Sequence, residues 1–248
     1  MSLMISLAEK QNLRLGVVNF MNSTPFIHGL ELNEGIKLIP KVPSKLIALV
    51  EQGDVDFALS SSIDYQQSSC DVSVLPVSAL SSNGETLTVK VCSRVPLDDI
   101  NEVHCDIDSH TSVVLLQIIL QKQFGSSVKV VPKDLRAMQS QPEELPDAML
   151  MIGDKVVTND LSDSHPYEAD LGAAWKELTG LPFVFAVWLG QSGLGSLKAK
   201  QAATLIDRQL RCNKRRIEQV VAKNNDSRGW NRHLALQYLT KHMDYSWT

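Results

Sequence analysis

An α/β fold of two lobes, one inserted into the other with a cleft between them, is what three features of the sequence predict. Short β-branched runs alternate with helical segments, the alternation restarts after residue 93, and a strong strand near residue 183 precedes two long helical stretches. At 248 residues the chain is long enough for two modest cores.

Strands are expected at 13–19 ("LRLGVVN"), 36–42 ("IKLIPKV"), 55–61 ("VDFALSS") and 72–77 ("VSVLPV"). Pro43 and Ser44 start a helix that Gly53 ends, so the first unit reads as a largely parallel sheet covered on both faces. After "TLTVKVCS" (86–93) come a strand at 103–107, a helix at 111–124 capped by Gly125, and strands at 128–131 and 147–153. "GLPFVFAVWLG" (180–190) is a further strand, followed by helical stretches at 198–223 and 230–243. The chain should cross between lobes near 88–94 and near 183–189, giving one lobe of residues 13–90 with 188–248 and an inserted lobe of 91–187.

Composition removes several classes. Apolar residues make up 44 % and the net charge is −4, so a folded core is affordable and no global positive field gathers nucleic acid or an anionic membrane. The one basic cluster, Arg208, Arg211, Lys214, Arg215 and Arg216, sits at helical spacing and reads as a solvated helix face. Four cysteines without a CxxC pair read as buried reduced thiols. "MSLMISLAEKQN" lacks the basic start and apolar core of an export signal, and no apolar run is long enough for a membrane span, so a cytoplasmic location is expected.

Ligands of open α/β sheets bind beyond the carboxyl ends of strands and in clefts between lobes. Four such loops carry neutral hydrogen-bonding residues: "NFMNSTPF" with Asn22, Ser23 and Thr24; "ALSSSIDY" with Ser60, Ser61 and Ser62; "SSNGETLT" with Ser81, Ser82, Asn83 and Thr88; "DSHTS" with Thr111 and Ser112. One such residue is an ordinary helix cap, worth around 1 kcal/mol. Four groups on one rim predict a shared pocket, where hydroxyls and free helix-start N–H groups surround a small anion. Gly153 and Asp154 follow a strand, and Asp154 is the carboxylate expected to touch a ligand or shape the lobe interface. No zinc, Walker, nucleophile-elbow or dinucleotide motif is present, and neither metal nor cofactor is expected. His110 and His28 read as polar surface and packing residues rather than bases.

In order along the chain, "LGVVNFMNSTPF", "VPSKLIALVEQGDVDFALSSSIDY", "TSVVLLQIIL", "LMIGDKVV" and "DLGAAWKELTGLPFVFAVW" resemble the blocks of the chorismate dehydratases (MqnA type), menaquinone-biosynthesis enzymes of the futalosine route. The resemblance runs from about residue 13 to 189, and the last block is the most specific. It implies a two-lobed periplasmic-binding-protein-like (type II) fold with two crossing strands, and loss of water from chorismate to give 3-[(1-carboxyvinyl)oxy]benzoate. Chorismate carries two carboxylates, so Thr111 and Ser112 become a carboxylate clamp at a helix start.

Carried over by motif, Asn22 falls on the family's cleft asparagine and Thr88 on its serine ahead of the crossing strand; these two are the expected catalytic residues. Ser23, Ser60, Ser61, Ser62, Asn83, Thr111, Ser112, Gly153 and Asp154 are the expected binding residues. Asn83 stands where the family has Asp, and Lys90 where an apolar residue is common. The sister enzyme, 1,4-dihydroxy-6-naphthoate synthase (MqnD), carries a base histidine after the strand matching "AMLMIG", where this chain has Gly153 and Asp154. A non-catalytic binder of a small carboxylate is the alternative of another class, since fold alone does not fix function.

Overall fold

The computed structural model of the chain describes residues 12–125, 127–136 and 145–247. Residues 1–11, most of the stretch read for an export signal, lie outside them. In order the chain forms β1 (Leu13–Val18), α1 (Thr24–Ile27), β2 (Ile36–Lys41), α2 (Pro43–Glu51), β3 (Phe57–Ser61), α3 (Asp64–Gln67) and β4 (Val72–Ser82). There follow β5 (Val89–Ser93), β6 (Glu102–Asp106), α4 (Thr111–Phe124), β7 (Lys129–Lys133), β8 (Ala148–Ile152), α5 (Lys155–Thr158), β9 (Tyr167–Asp170) and α6 (Leu171–Thr179). The chain continues through β10 (Phe183–Gln191), α7 (Ser196–Arg215), α8 (Ile217–Asn224) and α9 (Arg232–Gln237), then a π-helical turn at Tyr238–His242.

The strands make two five-stranded sheets, ordered β2-β1-β3-β10-β4 and β7-β6-β8-β5-β9. Both repeat one plan. β1 runs parallel to β2 and β3, and β6 parallel to β7 and β8, whereas β10 and β5 run antiparallel to their neighbours. The sheets are therefore mixed rather than largely parallel, because each accepts one strand from a chain returning in the opposite direction. The chain leaves the first sheet at Ser82 and rejoins it at Phe183, so the carboxyl ends of β1, β3, β6 and β8 all lead to the gap between the sheets.

Each sheet has its own core. In the first, Trp188 and Tyr245 meet Phe26 edge-on at 5.9 and 5.3 Å. In the second, Leu115, Leu116, Ile119 and Leu120 of α4 pack on Val103, Cys105 and Leu150. α4 is an apolar helix with one half-wetted side: Gln117, Ile118 and the last turn are exposed.

Two helical stretches are broken where the pattern reads as continuous. Asn213 is buried on α7 and donates to the carbonyls of Pro25 and His28, while Arg216 leaves helical geometry to bond Asn213 Oδ1, ending α7 there. Within 230–243, α9 widens into the π-helical turn, whose Met243 N–H reaches back to Tyr238 O. All five residues of the basic cluster are exposed, and Arg211 pairs with Asp207 one turn away, as a solvated helix face requires. Cys92 and Cys105 are buried, Cys70 is half-buried and Cys212 is exposed, so the reading of four buried thiols fails on α7, whose outer side carries Cys212.

Candidate functional site

A cleft opens between the two sheets, at the place where ligands of such folds bind. Its apolar wall is made by Val18, Phe20, Leu80, Val89, Ile152, Phe185, Ala186 and Met243. Its polar groups are Asn22, Ser61, Thr86, Thr88, Ser109, Thr111 and Ser112, with Gly153 contributing backbone. No ionisable side chain lines it among the described residues. Anything held there is held by uncharged donors and acceptors in a largely apolar chamber.

Six of the expected residues thus come together: Asn22, Ser61, Thr88, Thr111, Ser112 and Gly153. The other five stand elsewhere. Ser23 is buried behind the β1 loop, its hydroxyl donating to Phe20 O at 2.9 Å and to Val18 O. Ser60 points into the first lobe, buried and without a hydrogen-bond partner among the described residues. Ser62 Oγ donates to Val184 O at 2.8 Å and lies 3.3 Å from Thr111 Oγ1. Asn83 is exposed. Asp154 accepts from Met21 N at 3.0 Å and from Trp230 Nε1 at 2.9 Å, tying the end of β8 to the first lobe, and burial pushes its carboxyl above the usual range.

The loop that carries Thr88 is fixed from below. Asp170 caps α6 through the N–H groups of Gly172 and Ala173, and the same carboxylate accepts from Thr86 N, Thr86 Oγ1 and Leu87 N at 2.8–3.0 Å. Leu87 is held at φ 61°, a left-handed conformation costly for a branched side chain and sustained by these bonds. A Cβ on Gly172 would stand 2.4 Å from Gly84 O, so only glycine lets the loop settle on α6. The "DLG" of the most specific block is therefore a support for Thr88.

Thr88 Oγ1 is 2.8 Å from the hydroxyl of Tyr238, which is buried in the π-helical turn. Asn22 Oδ1 is buried and has no hydrogen-bond partner among the described residues. Gly153 sits at φ 76°, its N–H donating to Thr88 O at 2.9 Å, and a Cβ there would meet the Phe20 ring at 2.9 Å.

On the opposite rim the start of α4 bridges the lobes. Ile63 N donates to Thr111 Oγ1 at 3.3 Å, Ser44 N to Asp108 O at 3.1 Å, and His110 Nδ1 lies 2.6 Å from Asp64 Oδ1. Ser109 Oγ accepts from Ser112 N at 3.1 Å. Beneath this loop Lys155, nearly buried, pairs with Asp106 and, at 3.5 Å, with Asp108, although burial still leaves the Asp106 carboxyl raised.

Thr86 and Ser109 line the cleft from loops whose neighbours were singled out in the sequence, and residue type alone does not separate them from caps. Tyr238 has no local signal at all: it arrives from 150 residues beyond Thr88 through the fold. No helix of the described residues is long and apolar enough to cross a membrane, and no group of three or more metal-ligating side chains occurs among them.

Comparison with known proteins places this geometry. The profile of a family described as menaquinone biosynthesis matches residues 13–247. A chorismate dehydratase of Thermus thermophilus is 28 % identical over 191 residues, covering 70 % of this chain and 68 % of that protein. Among solved structures, protein AF1704 of Archaeoglobus fulgidus superposes with a TM-score of 0.74 at 14 % identity, over 94 % of this chain and 88 % of that one. The alkanesulfonate-binding protein SsuA of Xanthomonas axonopodis pv. citri, bound to MOPS, gives 0.71 at 14 % identity, over 95 % and 86 %. These two likenesses show a periplasmic-binding-protein-like α/β fold built on two mixed sheets.

Proposed function

The chain belongs to the menaquinone-biosynthesis family, and from that premise we propose that it is a hydro-lyase converting chorismate to 3-[(1-carboxyvinyl)oxy]benzoate and water. The observation that carries the reading is a cleft furnished with hydroxyl and amide groups and, among the described residues, no ionised side chain. This chemistry asks for little else. Loss of the ring hydroxyl and of the hydrogen on the carbon bearing the ether turns a cyclohexadiene into a benzene ring, and aromatisation supplies the driving force. The protein has to orient the substrate and steady the departing oxygen.

Thr111 and Ser112, at the start of α4, face a substrate carboxylate with hydroxyls and the positive end of the helix. Asn22 offers an unpartnered buried acceptor and Thr88 a hydroxyl, a pair complementary to the substrate's alcohol. With no side-chain base lining the cleft among the described residues, the substrate's own carboxyvinyl carboxylate takes the ring proton, and hydroxide leaves against Thr88 and Asn22. The lobes as read from the sequence, 13–90 with 188–248 and 91–187, would close on the substrate. The protein would work in the cytoplasm.

The sister-enzyme chemistry is disfavoured at the end of β8, where φ 76° and the Phe20 ring leave no room for a side chain at residue 153 and Asp154 is occupied by Met21 and Trp230. Incubation with chorismate decides the matter: an aromatic product identified by mass supports the dehydratase, and tight binding without turnover sinks it in favour of a binding protein. Asn22→Ala and Thr88→Ala should each lower kcat at least tenfold; near-wild-type turnover in both would remove their roles.

A further inference from the structure

Tyr238 is 1 % exposed, its ring stacks on Trp230 at 4.8 Å with 21° between planes, and its hydroxyl lies 2.8 Å from Thr88 Oγ1. Thr88 and Tyr238, 150 positions apart, thus meet in one buried hydroxyl pair. The turn that carries it is π-helical, the geometry proteins tolerate where a side chain must be aimed, and its last neighbour, Met243, lines the cleft.

A phenol has one hydrogen to give. Thr88 Oγ1 is the acceptor that the phenolic hydrogen meets among the described residues. Thr88 then has its own hydrogen to spare, which among the described residues meets no protein acceptor but Thr86 O at a long 3.4 Å. We propose that Tyr238 is a positioning residue of the dehydration, donating to Thr88 so that the Thr88 hydroxyl presents its hydrogen to the departing oxygen. Burial pushes the phenol well above its ordinary range, so it remains a donor throughout the working pH range. The inference rests on the dehydratase reading but adds to it a residue outside the cleft lining.

A double-mutant cycle on chorismate dehydration tests it, with wild type, Y238F, T88A and T88A/Y238F. Y238F should lower kcat about tenfold with KM within about twofold, and in the T88A background the same change should alter kcat less than twofold. A phenol that only fills the core would cost the same factor in both backgrounds, and that result overturns the proposal, as does an unchanged kcat in Y238F. Wild type without turnover overturns the dehydratase reading and this inference with it; active wild type with an additive cycle overturns the inference alone. Should Y238F not fold, 3-fluorotyrosine at position 238 replaces it, keeping ring and hydroxyl while altering their hydrogen-bond strength. A change of threefold or more in kcat that vanishes in T88A supports the proposal, and an equal effect in both backgrounds overturns it.

Discussion

His110 Nδ1 meets Asp64 Oδ1 at 2.6 Å across the gap between the lobes, and the same α4 start that carries His110 carries Thr111, whose hydroxyl both lines the cleft and accepts from Ile63 N. The Asp64 bond is the main cause that holds the His110 pKa above its ordinary value near 6.5, outweighing burial. A group whose folded pKa is raised contributes stability that is complete below the unfolded value and is lost as pH rises through the folded one. Thermal midpoints should therefore fall from about pH 6 to about pH 8 in wild type and fall less in His110→Gln. With the imidazole 38 % exposed the difference is expected to stay within about 1 kcal/mol, and identical profiles would discard the coupling.

Asp170 predicts a larger effect. Its carboxylate receives donors from α6 and from the 86–87 loop, so Asp170→Ala leaves several backbone N–H groups without a partner. Urea unfolding should show a loss of at least about 3 kcal/mol. Gly172→Ala attacks the same junction by volume, since its Cβ would overlap Gly84 O and Thr86 Cγ2, and should cost about 1–3 kcal/mol and displace Thr88. Unaltered kcat and stability in both variants would show that the loop does not depend on α6.

Asp154 separates charge from hydrogen bonding. Asp154→Ala strands Met21 N and Trp230 Nε1, a loss of about 2–4 kcal/mol. Asp154→Asn keeps an acceptor oxygen and removes a buried charge, so chemical denaturation should find it closer to wild type than the alanine variant. The reverse order would mean that the ionised carboxylate itself stabilises the lobe contact.

What the residues disclosed follows from the range of the forces involved. Helix α4 and its Gly125 cap were legible because periodicity and a left-handed glycine are local signals, and Gly125 does sit at φ 68°. The strands of the first sheet were legible for the same reason, but the antiparallel entry of β10 depends on where a chain returns after 100 residues, which no local pattern encodes. Hydroxyl-bearing loops do line the cleft, yet Ser60 and Ser62 flank Ser61 with the same side chain, and only the alternation of β3 and the cross-lobe partners of Thr111 decide which one faces it. Asn83 was named from its motif neighbours; its side chain falls outside because the loop is anchored through residues 86 and 87 instead.

The cysteines provide a test independent of any substrate. Burial pushes the Cys92 thiol up to about 11 and the Cys105 thiol up to about 12, so neither yields appreciable thiolate near neutral pH, and both lie in the core of the second lobe. Cys212 is exposed on α7, and Cys70 is half-buried beside Ser68. A chromogenic thiol reagent on native protein at about pH 8 should therefore modify Cys212 first, Cys70 more slowly, and Cys92 and Cys105 only on unfolding. Peptide mapping of the early adduct reads the order directly. Early labelling of Cys92 or Cys105 would mean that the second lobe opens on the timescale of the reaction, and the packing of β5 and β6 would have to be revised.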